Sequence, residues 1–134
     1  MEGIMPLVLS ATTATSEDAS FSAAGTIDQI TDPGNAGAIP VTASGSVALV
    51  TTGAETRTVA LPTFAGQTLA LYFQTDGGDC VITFSAGFNL AGNTVVTFAN
   101  ADECLLCTAV INTTAGGLAW RAVRPSADAT PAFA

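Results

Sequence analysis

The chain contains no histidine and no lysine, and Arg57, Arg121 and Arg124 are its only cations. Acid–base and nucleophilic chemistry near neutral pH draws mostly on histidine and lysine, so carboxylates alone are left for such work and an enzyme is not expected. Three isolated arginines form no basic stripe, which argues against a nucleic-acid partner. No apolar run reaches the length of a membrane-spanning helix, so no membrane role is expected either. Charge of both signs is scarce: 10% of the 134 residues are charged, against about 25% in ordinary globular domains. Eleven acids against three arginines leave a net charge of −8. With 49% hydrophobic residues, a fold of this size must show neutral small residues and some larger apolar patches to its surroundings, and such patches mark contacts with other chains. A neutral Thr/Ser/Gly surface, as secreted β-proteins carry, is the alternative. The opening Met1-Glu2-Gly3-Ile4-Met5-Pro6 is acidic and broken by proline, which argues against a signal peptide.

Cysteine is also sparse. Cys104 and Cys107 have the spacing of a metal or redox pair, but they lie in a stretch that reads as a strand, where residues three apart point to opposite faces. With Cys80 they read as small apolar residues carrying free thiols.

What the chain does have is short apolar alternation punctuated by glycine. Strands are expected over 26–31, 38–42, 46–51, 55–61, 68–75, 80–85, 94–98, 103–112 and 118–124, with Gly- or Asn-containing separators between them. No segment shows sustained helical periodicity. The expected fold is all-β, an antiparallel sandwich or jelly-roll-like barrel of about eight short strands. Its domain occupies 26–124, between an extended arm at 1–25 and a tail at 125–134. The arm is rich in Ala, Ser and Thr and is expected to gain order against a neighbouring chain. At the centre, Asp76-Gly77-Gly78-Asp79 reads as a tight hairpin turn that pairs Thr75 with Cys80, Phe73 with Ile82 and Leu71 with Phe84.

The carboxylates Asp32, Asp76 and Asp79 flank glycine turns and have turn geometry as their ordinary task. A calcium site built from them is the alternative, but nothing matches an EF-hand loop and no cofactor is expected. The candidates for contact with other chains are Arg57, Trp120, Arg121, Leu106, Val110 and Phe133. Arg57 is the cation best placed to meet acids of another copy, and Leu106 and Val110 lie on the second apolar face of the 103–112 strand. Trp120 reads as a core or interface anchor.

The stretches Ile30 to Val41, Leu49 to Arg57 and Tyr72 to Cys80, closed by Gly117-Leu118-Ala119-Trp120-Arg121-Ala122-Val123, resemble small β-rich virion proteins of tailed bacteriophages. The resemblance implies a structural protein of the particle, made in the host cytoplasm. As a capsid decoration (cement) protein on the head exterior, it would have the major capsid protein and itself, as a homotrimer at local threefolds, for partners. A head- or tail-fibre domain binding a receptor or glycan through Tyr72, Phe88 or Trp120 is the alternative post.

Overall fold

The structure, a computed structural model, describes residues 28–112, 117–123 and 131–134. These form ten strands: β1 (Asp28–Ile30), β2 (Gly37–Ile39), β3 (Gly45–Val50), β4 (Glu55–Val59), β5 (Thr68–Thr75), β6 (Cys80–Phe84), β7 (Val95–Phe98), β8 (Cys104–Asn112), β9 (Gly117–Val123) and β10 (Ala132–Phe133). They build two open five-stranded sheets, A in the order β9-β8-β5-β3-β1 and B in the order β10-β7-β6-β4-β2. The all-β sandwich expected from the alternation is present, and neither sheet closes into a barrel. Inward residues of the two sheets meet in one core, with Leu49, Leu71, Phe73 and Leu105 from A against Val59, Ile82, Phe84 and Phe98 from B.

Pairing within the sheets is mixed. Strands β1, β3 and β5 run parallel in sheet A, and β2, β4 and β6 run parallel in sheet B. Each of the pairs β1–β2, β3–β4 and β5–β6 is an arch: one strand lies in A, a short turn crosses to B, and the second strand lies in B. Three arches stack in register, so that Ile30, Val47 and Leu71 align across sheet A while Ile39, Val59 and Phe84 align across sheet B. Parallel neighbours need a long crossover; here the other sheet's strand supplies it, and no helix is required.

The hairpin expected over residues 69–84 does not form. β5 pairs with β3 and β8, whereas β6 pairs with β4 and β7, so Phe73 and Ile82 face each other across the sandwich instead of lying side by side. Alternation fits both arrangements; in the arch Leu69, Leu71 and Phe73 enter the shared core from sheet A, and Cys80, Ile82 and Phe84 enter it from sheet B. Gly78 takes a positive φ of 153°, and both glycines also answer a packing need. A Cβ on Gly77 would run into the carbonyl of Thr51, and one on Gly78 into the backbone of Gly53, both in the turn of the preceding arch.

The remaining strands are antiparallel and close the stack on one side. β7 follows β6, β8 follows β5, and β9 follows β8. Trp120 of β9 buries its ring and donates its indole N–H to the Ala60 carbonyl, 2.8 Å away, tying sheet A to the end of β4. Phe88 sits between Phe84 and Phe133, both at 4.9 Å between ring centroids. Phe133 belongs to β10, so the last residues of the expected tail are a strand of sheet B, held by Ala134 N–H to Val95 O at 2.8 Å. Buried Gln67 fastens the other loops: its amide donates to the Val41 and Ala43 carbonyls and its oxygen accepts from Thr63 N–H. The expectations for the arm at 1–25 and for Arg124 lie outside the described residues.

Candidate interaction surfaces

Arg57 was expected at a contact with another chain, and the structure corrects that. Alternation along β4 turns it inward, and its side chain is fully buried. Its Nε donates to Asp32 Oδ1 at 2.7 Å and its Nη2 to Asp32 Oδ2 at 3.0 Å, with further bonds to Glu55 Oε1 at 3.0 Å and the Val50 carbonyl at 3.1 Å. Burial pushes the Asp32 carboxyl up, but bonds from Arg57, Val50 N–H and Gly34 N–H, with the Arg57 charge, outweigh it and hold Asp32 below its ordinary value. Glu55 is likewise lowered, first by Thr52 N–H and then by Arg57. The guanidinium is consumed by the chain's own acids, so it joins arches instead of subunits.

Leu106 and Val110 fall where expected, on the outer face of sheet A. Leu106 is paired with Ala70 on one side and Val123 on the other, and Tyr72 lies diagonally across from it beside Cys104. Leu106, Tyr72 and Val123 are all exposed, Val110 is half-buried, and the same alternation puts Ser46, Ala48, exposed Val50, Thr68, Ala70, Gln74 and Thr108 on this face. The result is a sheet surface of apolar and neutral polar residues on which Arg121, at one side, is the one charged side chain described. Arg121 is itself tethered, donating to the Trp120 carbonyl at 2.8 Å and the Gly87 carbonyl at 3.3 Å. Of the other contact candidates, Trp120 is a buried core residue, and Phe133 is half-buried and packs against the core on Phe88. Of the three aromatics considered as a glycan platform, Phe88 and Trp120 are buried and only Tyr72 is exposed.

The two ends of the sandwich differ in chemistry, which no local pattern announced. The three arch turns and the 99–103 connection all lie at one end. There they gather Asp32, Glu55, Asp76, Asp79, Asp102 and Glu103, leaving only Asp28 among the described Asp and Glu side chains elsewhere. Arg57 is the one cation described at that end. Tyr72 donates its hydroxyl to Asp102 at 2.6 Å, and that bond raises the tyrosine's pKa. Glu103 turns inward and accepts from Ala99 N–H and the Asn100 amide. At the opposite end, Leu61, Phe64, Leu90 and Ile111 are exposed. Beside them lies a depression of about 430 Å³ lined in part by Leu61, Ala86, Gly87, Gly92, Leu118 and Ala119.

The cysteines sort as the strand reading requires, with Cys107 inward and Cys104 on the outer face. Burial pushes the Cys107 thiol up to about 12. It also pushes Cys80 up to about 11, against the opposing pull of Arg57. Among the described residues no group of three or more Cys, Asp or Glu is disposed to hold a metal ion. Compared with protein-family models, curated proteins and solved structures, the chain matches none.

Proposed function

We propose that this chain is a structural protein of a tailed-phage virion, a capsid decoration (cement) protein that sits on the head exterior and ties neighbouring capsomers together. The observation that carries the reading is the outer face of sheet A. There Leu106, Tyr72 and Val123 stand exposed on three adjacent strands of the sandwich, and the described carboxylate that reaches this patch is Asp102 at its rim, bonded to Tyr72. A sheet face of apolar and neutral polar residues can be covered by another protein without stripping water from unpaired charges. The resemblance of residues 30–41, 49–57 and 72–80 to virion proteins supports a place in the particle, though not this particular post. The mechanism is passive: a stiff domain laid across a joint adds buried area that must be lost before the joint opens, and a stable contact of this kind covers at least about 1,000 Å².

Heads stripped of their decoration test this directly. Added protein is expected to bind them and raise the temperature at which they release DNA, while Leu106→Asp, which alters only an exposed side chain, binds poorly. Failure of the unaltered protein to bind heads, or binding by Leu106→Asp at the unaltered level, refutes the assignment of this face.

A further inference from the structure

We infer that the end of the sandwich opposite the arch turns is a self-association surface, in which Leu90 of one copy seats in the depression of another. Leu90 is 102% exposed, at the tip of a turn that ordinarily takes glycine, asparagine or another polar residue. That turn is pinned. Gly92 N–H donates to Asn89 O at 3.0 Å, Asn93 N–H to Asn89 Oδ1 at 2.9 Å, and the Asn89 amide to Asn93 Oδ1 at 2.7 Å. A leucine is therefore held rigidly away from its own core, at little further loss of freedom on docking.

The hole that fits it is on the same end. Asn89 and Gly92, on either side of Leu90 in the turn, both line the 430 Å³ depression, whose other walls include Leu61, Leu118 and Ala119. Knob and hole lie side by side on one surface, the arrangement that lets two identical patches complete each other, or lets a ring of copies close. Exposed Phe64 and Ile111 lie on the same end and extend the apolar area around the contact.

Charge distribution selects a second copy as the occupant. Copies of an acidic chain repel one another unless their acids are kept apart, and of the seven described Asp and Glu side chains six sit at the far end, with only Asp28 at this one. The eight residues of β5 span about 26 Å, well beyond the screening distance of about 8 Å at physiological salt. Contact through the Leu90 end keeps the acidic ends pointing away from one another.

Light scattering and sedimentation of the full chain over a dilution series read the outcome. The unaltered protein is expected to show an oligomer that dissociates on dilution. Leu90→Asp is expected to be monomeric with an unchanged melting profile, since the altered side chain touches solvent only. Gly117→Phe, which adds a ring at a residue lining the depression where a new Cβ meets no other atom, is expected to be monomeric as well. Leu106→Asp is expected to associate like the unaltered protein. A monomeric unaltered protein at every concentration, or a Leu90→Asp variant that associates as strongly, overturns the inference. The result is independent of capsid loading: a monomer that binds heads defeats this inference alone, and an oligomer that ignores heads defeats only the virion reading.

Discussion

Arg57 and Asp32 meet through two parallel hydrogen bonds, Nε to Oδ1 at 2.7 Å and Nη2 to Oδ2 at 3.0 Å, across the boundary between the first and second arches. The carboxylate in turn accepts from Val50 N–H at 2.9 Å and Gly34 N–H at 3.2 Å. One acid thereby fixes its own turn, the end of β3 and the start of β4. A planar fork is required, because a lysine ammonium would satisfy only one of the two oxygens in line.

Arg57→Ala is expected to destabilise the fold by about 3 kcal/mol, toward the low end for breaking a buried ion pair because Asp32 keeps some contact with water. Urea unfolding followed by tryptophan fluorescence measures this through Trp120. Arg57→Lys is expected to recover only part of the loss.

Stability is expected to fall in acid. The folded-state pKa values of Asp32 and Glu55 lie below their ordinary 3.8 and 4.5. The unfolded chain therefore binds protons first as pH drops. The stabilisation is fully present above about pH 5 and is lost as pH falls through those ordinary values toward the lowered ones. Melting temperature recorded against pH should show this decline in the native protein, with a shallower one in Arg57→Ala. Equal acid slopes in the two proteins would remove Arg57 as the cause.

Two turn glycines should respond oppositely to the same substitution. Gly77→Ala forces a Cβ into the Thr51 carbonyl and is expected to destabilise by about 1–3 kcal/mol. At Gly53 the added methyl meets nothing, so Gly53→Ala should stay within about 0.5 kcal/mol of the native protein. Denaturant midpoints of the two variants decide the matter. A hairpin at 76–79 would not place Thr51 near Gly77, and an unperturbed Gly77→Ala would contradict the stacked arches.

Thiol labelling should find one reactive site. Cys80 and Cys107 are buried with thiols pushed up to about 11 and about 12, while Cys104 is half-buried on the outer face. Brief treatment with an alkylating reagent at mildly alkaline pH is expected to add one adduct by intact mass, and three after unfolding. Labelling at Cys107 in the native protein would show that sheet A opens readily.

The strand positions were legible because alternation and glycine punctuation are local. All nine expected strands have counterparts among the described residues, with ends displaced by up to three residues. The tenth, Ala132–Phe133, was hidden because two residues carry no period, and its place depends on β7 waiting to receive it. Arg57 was misplaced for a similar reason. An inward position on a strand ordinarily belongs to an apolar side chain, and the acid that makes arginine tolerable there lies 25 residues away. That Leu106 and Val110 share a face was legible from the alternation, and the structure puts that face on the outside of sheet A. The end-to-end difference in charge was not legible, although acids beside glycines recur at Asp32, Asp76 and Asp79, since nothing local says that these turns share one end.

By itself the sequence determined that the chain folds as short strands with one apolar face apiece, because that information resides in side chains two positions apart. Only the tertiary structure decided which strands become neighbours. An arch and a hairpin ask for the same alternation and the same turn glycines, and the choice between them rests on contacts such as Gly77 against Thr51 and Arg57 against Asp32, which exist only once distant segments have come together.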